Sequence, residues 1–155
     1  MDAKTFIQRR NQLMVQLGQD AIAILPAAQL QSRAFDSEFR FCQNSDFYYL
    51  TGFNEPNAMM LLIPGREEGE CVLFCQPNDP DAEQWTGKRV GPAAANELVG
   101  VDQAFSIDEF DSRISQFLEN RTTIYYPMGS QSGFDNKIID WLHQAKQQKK
   151  KAHHL

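Results

Sequence analysis

Histidine, cysteine and acidic side chains are the residues of this sequence that could hold a metal or act in catalysis. The three histidines, His143, His153 and His154, all lie within the last thirteen of the 155 residues. A catalytic metal needs His, Asp and Glu side chains that converge in a pocket, and histidines near a chain end are poorly placed for that. No GxSxG nucleophile elbow, phosphate-binding loop or dinucleotide-binding pattern is present. The sequence therefore predicts no catalytic residue and no metal ligand in this chain.

The three cysteines, Cys42, Cys71 and Cys75, also lack the setting of a reactive or metal-binding site. Neither a CxxC pair nor a nearby histidine accompanies them. Cys71 and Cys75 fall in one predicted strand, where four residue steps separate them by about 13 Å, which is too far for a disulfide within that strand. We therefore expect buried free thiols.

The charge and hydropathy of the chain exclude several classes of partner. The formal net charge of −5 and the pI near 5.1 argue against nucleic acid, because phosphate binding needs clustered Lys and Arg. The lysine-rich residues 146–151 are typical of a solvated helix end. No apolar stretch is close to the length of a membrane helix, which is about 20 residues, and the amino terminus lacks the apolar core of a signal peptide. We expect a cytoplasmic protein with no nucleic-acid and no membrane partner.

Hydrophobic periodicity predicts an α/β domain with a mixed β-sheet flanked by helices. Apolar residues at helical spacing indicate an opening helix from Lys4 to Gly18, with Arg9 and Arg10 among its polar positions. Strand patterns cover residues 21–25, 58–63, 70–75 and 122–126. The second and third of these strands form an antiparallel hairpin, which we place at the centre of the sheet. Further helices are predicted at 81–85, 92–98, 107–118 with Ser106 as its cap, and about 134–147.

The stretch QNSDFYYLTGFNEPNA, from Gln43 to Ala58, is the most informative part of the sequence. It predicts a short helical turn with a cap, an inward apolar face and a left-handed exit. Asn44 or Ser45 is the predicted cap. The inward face consists of Phe47, Tyr48 and Leu50, and Gly52 is the predicted exit. Such features serve any buried turn, so the physical pattern alone leaves a purely structural role open.

The literal string resembles the signature of the N-terminal domain of bacterial aminopeptidase P, the Xaa-Pro aminopeptidase. Four other segments resemble the same family in the same order: residues 8–10, 36–41, 82–89 and 100–102. The resemblance implies the creatinase/aminopeptidase P N-terminal fold over residues 1–150, with 151–155 starting a linker to a C-terminal pita-bread catalytic domain. It also implies that two manganese ions belong to that catalytic domain and that this chain binds none.

The resemblance implies substrate-binding roles for Trp85 and Asp36. In oligomeric aminopeptidase P, the tryptophan that matches Trp85 reaches the active site of a neighbouring subunit and helps to form the pocket for the substrate's proline. The acid that matches Asp36 lies toward the neighbour's active-site mouth. The residues themselves leave other roles open: Trp85 equally suits a core or interface tryptophan, and Asp36 a loop carboxylate. Lys88 and Arg89 suit a plain surface role.

The function implied by the resemblance is that of a noncatalytic domain of a proline-specific metalloaminopeptidase, which releases the N-terminal residue from Xaa-Pro peptides. The domain would contribute to oligomerisation and to the substrate pocket of a neighbouring subunit. Its implied partners are proline-containing peptides, its own catalytic domain and further copies of itself. An alternative is a free-standing peptide- or protein-binding module of the pita-bread superfamily without peptidase activity. A prolidase or creatinase relative is a third reading, but the string at 43–58 favours aminopeptidase P.

Overall fold

A five-stranded mixed sheet forms the centre of the molecule in the computed structural model, which describes residues 3–29, 43–127, 135–140 and 143. The strands are β1 (Ala21–Pro26), β2 (Met59–Leu62), β3 (Cys71–Cys75), β4 (Gln103–Ser106) and β5 (Thr123–Tyr125). They lie in the order β4-β3-β2-β1-β5. β2 is antiparallel to both β1 and β3, whereas the edge strands β5 and β4 pair in parallel with β1 and β3. The predicted mixed sheet with a central hairpin is confirmed.

Helices follow or precede the strands as the periodicity predicts. They are α1 (Ala3–Leu17), α2 (Ser45–Thr51), α3 (Pro80–Thr86), α4 (Pro92–Val99) and α5 (Phe110–Leu118). A 3₁₀ turn over Ile107–Glu109 leads into α5, and its Ser106 cap accepts a hydrogen bond from the Asp108 N–H at 3.2 Å. Residues 135–140 and 143 are also helical, in agreement with the predicted last helix, whose other residues lie outside the described ranges.

The sheet is covered on both faces, so its central strands are apolar on both sides. Successive residues of β1, such as Ala23 and Ile24, point to opposite faces. One face packs against α1, α2 and α4, and the other against α5 and the helical residues 135–140. The molecule is therefore a three-layer α/β/α arrangement, and the continuous apolar runs of β2 and β3 reflect burial on two faces.

Strand β4 was not predicted from the sequence. Its four residues carry only two apolar side chains, and all four are half-buried. The strand forms because Asp102, just before it, is tied to β3. The Asp102 Oδ2 atom accepts hydrogen bonds from the N–H groups of Glu70 and Cys71, each at 3.0 Å, and the Asp102 N–H donates to the Cys71 carbonyl at 3.0 Å. This pairing is long-range, so local pattern could not indicate it.

The short helix α2 forms as predicted, with one correction. The Asn44 side chain accepts a hydrogen bond from the Phe47 N–H at 3.0 Å, and Gly52 ends the helix in the left-handed conformation. Phe47 and Leu50 are buried, but Tyr48 is 45% exposed, so its predicted inward orientation is wrong. A seven-residue helix has a single inward stripe, and residues 47, 50 and 51 fill it.

Candidate functional site

Helix α3 presents the side chain of Trp85 to solvent. The indole is 89% exposed, which excludes the core role that the sequence left open. Asp79 caps the helix by accepting a hydrogen bond from the Ala82 N–H at 3.3 Å, and Pro80 occupies the first turn, where it needs no N–H partner. Tryptophan is among the residues that most often dominate binding interfaces. The helix thus has ordinary start signals and an unusual exposed aromatic near its end.

Polar side chains hold the segment around Trp85 in place. The Glu83 carboxylate accepts hydrogen bonds from the backbone N–H of Asp79 at 3.2 Å and from that of Arg89. The Asn78 amide donates to the Arg89 carbonyl at 3.0 Å, and the Arg89 guanidinium donates to the Pro77 carbonyl at 3.3 Å. Residues before and after α3 are therefore joined directly to each other.

The segment that contains Trp85 is also bonded to the stretch at 43–58. Glu55 Oε2 accepts a hydrogen bond from the Val90 N–H at 2.8 Å. The Gln43 amide in turn donates to the carbonyls of Glu55 at 2.8 Å and Phe53 at 3.2 Å, while its oxygen accepts from the Ala28 N–H at 2.8 Å. The family-like stretch thus orients the backbone on which the exposed indole depends.

Arg10 is a buried cation that the sequence analysis did not recognise. It is 1% exposed, and its guanidinium donates to the carbonyls of Leu50 at 2.9 Å, Val99 at 2.9 Å and Gly100 at 3.1 Å. These carbonyls lie at the ends of α2 and α4, where free carbonyls and the helix dipole favour a cation. The signal was present in the sequence, because Arg10 lies four residues from both Phe6 and Met14 on the apolar stripe of α1.

The cysteines of β3 are buried and poorly suited to nucleophilic chemistry. Burial raises the pKa of Cys75 from 9.0 to about 12, and the nearby Glu55 carboxylate adds to the increase. Burial also raises the pKa of Cys71, although the Arg10 guanidinium acts in the opposite direction. Both cysteines are free thiols, as predicted, and Cys42 lies outside the described residues.

A cavity of about 330 Å³ lies elsewhere, beside α1 and the carboxyl ends of β1 and β5. Its walls are mainly apolar and include Leu13, Leu25 and Phe47, with Asp46 among the polar residues. Tyr126 also lines it, and burial, reinforced by Asp135, raises the pKa of that tyrosine to about 12. Trp85 does not line this cavity, so the two features are separate candidates.

Asp36, the other residue predicted to bind substrate, is not tested, and neither are several basic residues that the sequence analysis considered. Asp36, His153, His154 and the lysine-rich residues 146–151 lie outside the described ranges, and His143 is exposed on a helix. Within the described ranges, no three His, Cys, Asp or Glu side chains are grouped so that they could hold a metal ion. Over those same residues, no helix has the length and apolar character needed to cross a membrane.

Comparison with known proteins places the chain in a family. Residues 6–125 match the family model described as aminopeptidase P, N-terminal domain. The Xaa-Pro aminopeptidase of Escherichia coli is 36% identical over 147 residues, which cover 92% of this chain and 33% of that protein. Human Xaa-Pro aminopeptidase 3 is 30% identical over 115 residues, which cover 72% of this chain and 23% of the relative.

Solved structures agree with the sequence relatives. The structure of Pseudomonas aeruginosa aminopeptidase PepP superimposes with a TM-score of 0.89 at 41% identity, covering 97% of this chain and 34% of that chain. The structure of Escherichia coli aminopeptidase P in complex with product superimposes with a TM-score of 0.88 at 33% identity, covering 98% of this chain and 35% of that chain. This chain spans about a third of the length of these relatives. The chain belongs to the aminopeptidase P N-terminal domain family.

Proposed function

We propose that this chain is the noncatalytic N-terminal domain of a proline-specific metalloaminopeptidase, which releases the N-terminal residue from Xaa-Pro peptides. The observation that carries the proposal is the family match over residues 6–125, together with relatives named Xaa-Pro aminopeptidase. Hydrolysis would depend on two manganese ions held in a C-terminal catalytic domain outside residues 1–150, with 151–155 as the start of the connecting linker. The protein would work in the cytoplasm.

Trp85 is the residue of this chain proposed to touch substrate, in the active site of a neighbouring subunit. Its 89% exposure supports this role, because the indole is free to be covered by another chain. A proline ring is apolar and rigid, and an indole face offers it a large contact area with little loss of side-chain entropy. Asp36 is proposed to lie near the mouth of the same site. Both roles require a homo-oligomer.

The first test is hydrolysis of an Xaa-Pro-Xaa tripeptide with added Mn²⁺, by the complete product of this gene and by the 155-residue chain alone. Activity that requires the complete product supports a recognition domain of a peptidase. Activity in neither sample would contradict the proposal and favour a free-standing peptide- or protein-binding module. Activity in the 155-residue chain alone would contradict the assignment of the metal site to another domain.

A further inference from the structure

Helix α3 is held in place by hydrogen bonds and not by a hydrophobic face. None of residues 80–85 is buried, whereas α5 buries Phe110, Ile114 and Phe117 in the core. A helix of seven residues is too short to be stable on its own, and helices in proteins usually depend on an apolar face for their stability. The orientation of α3, and of the Trp85 indole with it, must therefore depend on polar contacts at its ends.

Glu83 makes hydrogen bonds to the backbone on both sides of Trp85 in the sequence. One carboxylate oxygen accepts from the Asp79 N–H at the start of the helix, and the other accepts from the Arg89 N–H beyond its end. The first contact resembles a capping box, in which an acidic side chain reaches back to the N–H of the cap residue. The Glu83 carbonyl also accepts from the Gly87 N–H at 3.0 Å, which closes the last turn.

The backbone beyond α3, to which Glu83 is bonded, is fixed to the body of the domain. Val90, next to Arg89, donates to Glu55, and Asn78 donates to the Arg89 carbonyl. Glu83 therefore links the helix to backbone that is itself anchored. Without the Glu83 carboxylate, the cap of α3 retains the Asp79 side chain, but the direct bond between α3 and residue 89 is lost.

We propose that Glu83 is the positioning residue of Trp85, which fixes the helix so that the indole is already oriented before a partner binds. This inference rests on the proposed function, because Trp85 is there the residue that touches substrate. Glu83 itself touches no substrate and acts only through the indole. Fixing the helix that carries the indole before binding removes part of the cost of ordering this segment, and we expect it to correspond to roughly a 2- to 12-fold change in affinity.

The positioning step is tested first without substrate, by time-resolved fluorescence anisotropy of the indole. The chain has two tryptophans, so a Trp141→Phe background leaves Trp85 as the only reporter. Glu83→Ala is expected to increase the amplitude of fast depolarisation, because the indole moves more freely on the picosecond-to-nanosecond timescale. Glu97→Ala, which removes an exposed glutamate from α4, is the matched control and is expected to change nothing. Unchanged anisotropy in Glu83→Ala would overturn the proposal.

The kinetic test uses the complete gene product and a double-mutant cycle. Glu83→Ala is expected to raise KM for an Xaa-Pro-Xaa tripeptide by roughly 2- to 12-fold, with a smaller effect on kcat. In a Trp85→Ala background the same change is expected to have no further effect, because Glu83 acts only through the indole. Additive effects of the two substitutions would show that Glu83 acts independently of Trp85, and would overturn the proposal.

Glu83→Gln keeps the test decisive if Glu83→Ala does not fold. The Gln carbonyl can still accept from the Arg89 N–H, but its amino group cannot accept from Asp79. We expect values between those of the parent and of Glu83→Ala, and a Gln variant with unchanged anisotropy and KM would count against the inference. Failure of the proposed function can be distinguished from failure of this inference. If Trp85→Ala leaves the kinetics unchanged while Glu83→Ala increases the motion of the indole, the positioning role of Glu83 is supported and the substrate role of Trp85 is contradicted.

Discussion

At the scale of single residues, Arg10 shows how one buried cation can join three helices. Its guanidinium spans from α1 to the carbonyls that end α2 and α4, with donor–acceptor distances of 2.9 to 3.1 Å. The planar guanidinium donates to Leu50 from Nη1 and to Val99 and Gly100 from Nη2, whereas a lysine would have to donate to all three carbonyls from a single nitrogen. The desolvation of the charge is offset by hydrogen bonds and by two helix C-termini.

Arg10→Ala should therefore be strongly destabilising. The substitution leaves three carbonyls without their donor, and the two at Leu50 and Val99 are buried. Each unsatisfied buried group costs about 1 to 3 kcal/mol, so we expect a loss of about 2 kcal/mol or more in the free energy of unfolding. The measurement is urea denaturation of the chain. Arg9→Ala, at the neighbouring residue, is the control. Arg9 is half-exposed and its guanidinium stacks 4.0 Å from the Tyr49 ring centroid. We expect this substitution to lower the free energy of unfolding by about 1 kcal/mol. Equal losses in the two variants would contradict the role assigned to Arg10.

Cys75 should resist alkylation in the folded protein. Its pKa of about 12 leaves a thiolate fraction of about 1 in 10⁴ at pH 8, compared with about 1 in 10 for a thiol at its ordinary value of 9.0. Peptide mapping after iodoacetamide treatment should show Cys75 unmodified in native protein and modified after denaturation. Rapid labelling of native Cys75 at pH 8 would refute the assignment.

The same pKa shift predicts a loss of stability in alkali. Cys75 loses its proton near pH 9 in the unfolded chain but only near pH 12 in the folded one. The folded state thus binds more protons in that window, so the contribution of Cys75 to stability is complete below about pH 9 and decreases as the pH rises toward 12. Removal of the neighbouring charge by Glu55→Gln should shift the upper limit of this window to lower pH.

At the scale of elements, the parts predicted from sequence are those with a local physical signal. Caps, glycine exits and apolar periodicity gave the five helices and four of the strands, because each signal lies within the element itself. β4 and the hydrogen bonds of Arg10 depend instead on partners about 30 and 90 residues away, although the place of Arg10 on the apolar stripe of α1 was a local signal. The same holds for the candidate site. Family resemblance indicated Trp85, whereas the hydrogen bonds that join Glu83, Arg89 and Glu55 to the segment around it could be recognised only in the folded chain.

The junction of α1 and α2 allows a sharp test of packing at a helix exit. Gly52 has φ of +67°, and a Cβ added there would lie 2.5 Å from the Phe6 ring. Gly18, at the end of α1, has φ of +86°, but an added Cβ would meet nothing within 4 Å. Gly18→Ala should cost only the backbone strain of about 1 to 2 kcal/mol, whereas Gly52→Ala should cost about 1 to 3 kcal/mol more because Phe6 must move. Thermal unfolding of both variants measures the difference. Similar losses of stability in the two variants would show that the Phe6 ring can move aside without cost.

At the scale of the whole molecule, hydrogen bonds connect the stretch at 43–58 to the exposed indole. The Gln43 amide donates to the Glu55 carbonyl, and the Glu55 carboxylate accepts from the Val90 N–H. Arg89, the residue before Val90, donates its N–H to the Glu83 carboxylate on α3. Two of the segments that resemble the family, residues 43–58 and 82–89, are thus connected to each other through Val90. An indole presented on an anchored but otherwise uncovered helix is suited to contact another chain, because little further ordering is needed when it binds.

The proposed role of Trp85 in a neighbouring subunit would make activity depend on assembly, and this gives the prediction for the complete gene product. Trp85→Ala should reduce kcat/KM for an Xaa-Pro-Xaa tripeptide by about tenfold, the effect of losing about 1.4 kcal/mol of transition-state binding, with unchanged metal content. Dilution that separates the subunits should reduce the parent's activity toward that of the variant, while the variant itself should respond less. Val15→Ala is the control, because Val15 is 84% exposed on α1 and belongs to a different surface element. If Trp85→Ala and Val15→Ala both retain the parent's kinetics at every protein concentration, the indole does not reach a neighbour's substrate and its exposure serves another contact.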